Sequence, residues 1–137
     1  MGKINVGKVI VGGIVAGIVM NGIDFVINTI IMKDRMTAAM AARNLDMAAT
    51  NVPTMVALDF AMGLVLVFTY ACIRTRFGPG PKTAIVAALI IAMTANILAA
   101  YFAGMGFFGW HMWGEMAVLE TGNTVIAALA GCALYNE

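Results

Sequence analysis

Four apolar runs, about Val6 to Met32, Thr54 to Ile73, Lys82 to Ala103 and Met112 to Tyr135, take up most of this chain. At a helical rise of 1.5 Å per residue each is long enough for a hydrocarbon layer of ~30 Å. In hydrocarbon every backbone polar group needs a partner within its own segment, so the runs are read as α-helices. With 62% hydrophobic and 11% charged residues in 137, little chain is left over for a soluble domain. The expectation is one all-α transmembrane domain over residues 1–137, an integral membrane four-helix bundle.

Lys3 and Lys8 ahead of an apolar stretch are reminiscent of a secretory signal peptide, but the stretch is too long for one. Counting Lys and Arg near the span ends puts Lys3, Lys8, Arg74, Arg76 and Lys82 on one side and Lys33, Arg35 and Arg43 on the other. The positive-inside rule then places both termini in the cytoplasm. A net charge of +1, with no basic face, argues against nucleic acid as a partner. Cys72 and Cys132 are read as reduced packing residues.

The first run is not uniformly lipid-like. Gly13, Gly17, Asn21, Asp24 and Asn28 recur at helical spacing and fall within roughly 80° of one face. A carboxyl and two amides in hydrocarbon must face protein or a wet cavity. The other runs carry matching groups: Asp59 and Gly63 in the second, Ala88, Ala92 and Asn96 in the third, Glu120 and Asn123 in the fourth. Counted from the external ends, Asp24, Asp59, Asn96 and Glu120 lie about seven to eleven residues deep, which places them in one layer. Met55-Val-Ala-Leu-Asp59 also resembles Met116-Ala-Val-Leu-Glu120, a faint sign of duplication. Glu115 falls off the polar face and is expected at a headgroup or a helix start.

Between the first two runs, Met36, Met40, Arg43 and Met47 among alanines indicate a short amphipathic surface helix with its methionines toward the membrane. Asn51-Val-Pro53 then starts the second span. Trp110, His111 and Trp113 belong to an aromatic belt at the external interface.

The turn after the second span, Ile73-Arg-Thr-Arg-Phe-Gly-Pro-Gly-Pro-Lys82-Thr-Ala84, together with the polar-faced first span, resembles small uncharacterised four-span bacterial integral membrane proteins. The resemblance implies a four-span topology and a bacterial inner membrane. It implies no activity or site.

Three functional readings follow. In the leading one the polar layer is packing glue and Gly13, Gly17, Gly63, Ala88 and Ala92 are close-approach faces. The protein is then a non-enzymatic accessory subunit of a larger membrane complex, or a homo-oligomer, whose partners are the lipid bilayer and other membrane subunits or itself. In the second, Asn21, Asp24, Asn28, Asp59, Asn96, Glu120 and Asn123 form a site in a channel or transporter for protons, cations or a small cationic molecule. In the third, His111, Met112 and Met116 bind copper, since thioethers and imidazole suit Cu(I). No cofactor is named by the sequence. No nucleophile–base set or phosphate-binding loop favours an enzyme.

Overall fold

The computed structural model describes residues 2–136 and is all-α, with no strand among them. Five α-helices follow in order: α1 (Val6–Val26), α2 (Lys33–Ala41), α3 (Val52–Phe77), α4 (Pro81–Gly104) and α5 (Trp110–Cys132). The segments Val6–Ile31, Val52–Phe77 and Pro81–Gly104 are long and apolar enough to cross a membrane. Most of their apolar side chains point outward, Ile18, Phe25, Phe68 and Leu98 among them, as lipid contact requires. In α5 the glycines, Glu115, Glu120 and Asn123 dilute the apolar character.

The helix ends explain where each element starts. Asn5 caps α1 through its side-chain oxygen, which accepts from the Lys8 amide at 3.1 Å, and Asn51 does the same for α3 with Thr54. Pro53 and Pro81 sit in the first turns of α3 and α4, where their missing N–H costs nothing. α3 continues past Ile73 through Arg74, Thr75 and Arg76 to Phe77, so the expected ten-residue turn shrinks to Gly78–Gly80. The reason is local: arginine favours helix, and cations in a last turn complement the macrodipole. Gly78, at φ 84°, ends the helix in a conformation other residues resist. The Thr83 hydroxyl donates to Gly78 O at 2.6 Å and Gly80 N–H donates to the Tyr70 hydroxyl at 3.1 Å, which closes the turn.

The chain therefore has two distinct ends. At one, the termini meet the α3–α4 turn: Asn5 N–H donates to the Tyr135 hydroxyl at 3.1 Å, and Arg74 donates to Tyr135 O at 3.2 Å. The Arg74 guanidinium also lies over the Tyr135 ring, 5.1 Å from its centroid. The opposite end carries α2 and the α4–α5 connection. Removing the Tyr135 hydroxyl (Tyr135→Phe) is expected to cost about 1 kcal/mol of stability, measurable as a small fall in thermal midpoint without loss of helix content.

The small-residue packing lies toward the termini end. α1 runs antiparallel to α3, with Gly13 against Leu64 and Gly17 against Phe60, and crosses α5 at Gly12 and Gly131. Ala16, Leu66, Val67, Ala87, Ala88, Ala127 and Ala128 are fully buried there. Gly63 and Ala92 are buried as well. This is close approach through small residues, the usual means of joining helices in lipid.

Candidate functional site

Toward the α2 end the small-residue seam gives way to a cavity of about 570 Å³. Its deep polar groups come from four helices: Asp24 from α1, Asp59 from α3, Asn96 from α4, and Glu120, Asn123 and Thr124 from α5. Asp24 is central. Its carboxyl neighbours those of Asp59 and Glu120. Asn123, 3% exposed, donates from Nδ2 to Asp24 Oδ1 at 2.6 Å, with Glu120 Oε2 and Met20 O each 3.5 Å away. Three carboxyls so placed require positive charge among them, as protons or as a cation, because like charges at contact repel strongly in a low dielectric.

The remaining walls are apolar. Met20, Met62, Met112 and Met116 line the sides, and Phe102, Phe107, Phe108 and Trp113 supply aromatic faces. Sulfur and π-faces suit an adaptable pocket for a bulky apolar or cationic body. The Trp113 indole donates from Nε1 to Asn96 O at 3.1 Å and lines the cavity, whereas Trp110 stays exposed.

α2 forms the roof. Met36 and Met40 face the cavity, so the methionine face of the surface helix covers a site, not lipid. A π-helical turn, Ile27–Ile31, aims the chain from α1 into α2. Its own side chains stabilise it: Asn28 Nδ2 donates to Asp24 O at 2.9 Å and the Thr29 hydroxyl donates to Phe25 O. Two arginines pin the roof to the other side of the mouth. Arg35 pairs with Glu115, and Arg43 donates to Gly106 O while lying 5.3 Å from the Phe107 ring centroid. Arg43 is the one basic residue among the described cavity lining. Arg35→Ala is expected to speed amide exchange across residues 33–45 while changing global stability by less than about 1 kcal/mol, since Arg35 is half-exposed.

The structure thus brings together five of the seven expected ligand residues, Asp24, Asp59, Asn96, Glu120 and Asn123. It leaves out two. Asn21 Nδ2 donates to Gly17 O at 2.9 Å and to Val56 O at 3.4 Å, stitching α1 to α3, and Asn28 serves the π-turn. Among the four amides expected to meet the acids, Asn123 alone does, while Asn96 donates to the Thr121 hydroxyl at 3.1 Å. The copper set is divided: Met112 and Met116 line the main cavity, whereas His111 lines a separate, shallower one beside Arg35 and Glu115. Among the described residues no three His, Cys, Asp or Glu side chains are placed to hold a metal ion. Arg43, Trp113 and the roof methionines are the site residues that the sequence reading did not identify; alternation of Met and Arg with alanine at helical spacing was their only trace.

Comparison of the chain with protein-family models, with curated proteins and with solved structures finds no match.

Proposed function

We propose that this protein is a four-span bundle of the bacterial inner membrane, both termini cytoplasmic, that binds a small organic cation in the α2-end cavity for uptake, export or sensing. The observation that carries this reading is the meeting of Asp24, Asp59 and Glu120, from three helices, in one largely apolar cavity. Helix association alone needs no such volume, and intramembrane carboxyls facing a cavity are costly unless they serve a charge. The size suits a ligand of drug-like dimensions, which such pockets bind by apolar walls and a few placed polar groups. The reading is non-enzymatic, and the acid-lined cavity favours it over the accessory-subunit reading, which rests on short loops and small-residue faces.

Calorimetric titration of the purified protein with phenethylamine, a small protonated aromatic amine, tests it. Saturable binding is expected, weakened about tenfold or more in the Asp59→Asn/Glu120→Gln double variant. Thermal stability of that variant should stay within a few degrees of wild type, as removing mutual repulsion offsets lost contacts. Absence of saturable binding to the wild type, or equal binding by the double variant, overturns the proposal.

A further inference from the structure

The cavity has a side as well as a roof. In α3 every buried residue lies at or beyond Gly63, and in α4 all but Ala103 lie at or before Ala92. The two helices are joined tightly at Gly78–Gly80, and their buried residues cluster toward that turn, which Tyr70 and Thr83 close. Farther out, Leu58, Asp59 and Met62 of α3 and Ala95, Asn96 and Ala99 of α4 line the same cavity, which therefore parts the two helices. Leu58 is 57% exposed, and Ala95 is exposed too, so the flanks of this gap are open at the depth of the acids. In a bilayer that opening faces acyl chains. The water-facing mouth, by contrast, is covered by Met36, Met40, Phe107 and Phe108 and pinned by Arg35 and Arg43.

A second observation concerns the deep end. Asn123 lines the cavity and is almost wholly buried, yet its Oδ1 has no hydrogen-bond partner. The amide cannot profitably flip, because the Nδ2 position is surrounded by acceptors: Asp24 Oδ1, Glu120 Oε2 and Met20 O. A buried carbonyl left bare costs the full loss of its hydration; Oδ1 has no free surface in this structure, so a donor reaches it only as the cavity wall yields around a bound ligand. A donor that also carries positive charge satisfies Oδ1 and the three carboxyls at once. A protonated amine does both. A quaternary ammonium supplies the charge and no N–H.

Building on the cation-binding reading, we propose that the ligand is a membrane-dissolved primary amine. Its ammonium group donates to Asn123 Oδ1 among Asp24, Asp59 and Glu120, and its apolar tail enters sideways from the bilayer through the gap between α3 and α4. Arg43 at the roof reinforces this polarity by repelling a cationic head from the watery end, so the head lodges deep and the tail trails through the gap.

The test compares three radiolabelled probes retained by the protein in phosphatidylcholine nanodiscs, after subtraction of retention by empty discs. The probes are dodecylamine, dodecyltrimethylammonium and butylamine. Dodecylamine is expected to bind about tenfold or more tightly than dodecyltrimethylammonium, which lacks the N–H, and than butylamine, which lacks the tail. Asn123→Ala should shrink the preference over the quaternary probe to about twofold. Ala95→Trp, at the exposed flank of the gap, should slow dodecylamine association about tenfold and leave butylamine unchanged. The wild-type comparison needs no variant to fold. Equal affinity for the three probes, abolished by the Asp59→Asn/Glu120→Gln change, overturns the amine and the side opening while cation binding stands. Retention of none of them above empty discs removes both readings.

Discussion

Gly63→Val is expected to separate α1 from α3 and to lower stability by about 3 kcal/mol, the upper end for an overpacked site, with a thermal midpoint lower by ~10 °C. A Cβ at Gly63 would lie 2.5 Å from Gly13 O and 2.7 Å from Gly17 N, and both atoms belong to the backbone of α1. No rotamer change relieves contacts of that kind; the whole helix has to move. The same holds for Gly131, whose Cβ would meet Gly12 O at 2.5 Å. The contrast lies in Gly122, also within a helix, where an added Cβ meets nothing within 4 Å. Gly122→Ala is expected to be neutral or to stabilise by up to about 1 kcal/mol, since alanine restricts the unfolded chain and favours helix. Thermal unfolding of the variants in one detergent checks both signs, and equal destabilisation by Gly63→Val and Gly122→Ala would contradict the packing described.

The tight glycine contacts also mark what was legible in the sequence. Gly13 and Gly17 at a spacing of four announce a close helix approach, and the partner face with Gly63 could be placed by the same periodicity. Asp24, Asp59, Asn96 and Glu120 could be put at one depth by counting from the span ends, because helical rise is nearly constant. Partners were harder. An asparagine in a helix has its own i−4 carbonyl within reach, and Asn21 and Asn28 take that local bond. Asn21 adds a longer bond across to Val56 O and Asn96 reaches the Thr121 hydroxyl, but only Asn123 reaches a carboxyl on another helix. The π-turn at Ile27–Ile31 left no readable mark, since one extra residue per turn does not disturb an all-apolar run. Without it the direction of α2 was unknown, and so Met36 and Met40 were assigned to lipid when they cover a cavity. Trp113 lies three positions on from the exposed Trp110, nearly a full turn, yet it turns inward and its indole bonds Asn96 O, which spacing alone does not foretell.

Asp24→Asn should have the largest effect on ligand binding of any single change, because Asp24 is the one acid in contact with both of the others and with Asn123. The substitution keeps the volume but offers an N–H where a ligand's donor must go, and it removes the central negative charge. The expected loss for a protonated amine is thirty- to hundred-fold, corresponding to about 2–3 kcal/mol for a charge-assisted hydrogen bond. Asp59→Asn, at the edge of the cluster beside Asp24, should cost about tenfold. Folding should respond in the opposite order of severity to Gly63→Val: the amide introduced by Asp24→Asn still accepts from Asn123 Nδ2 through its oxygen, so the α1–α5 contact persists. Calorimetric titration with phenethylamine beside a melting curve separates the two quantities. An Asp24→Asn protein that melts like wild type and binds the amine equally well would remove Asp24 from the site and leave its carboxyl a packing group. A protein that melts like wild type and has lost the amine ties the polar face of α1 to the ligand.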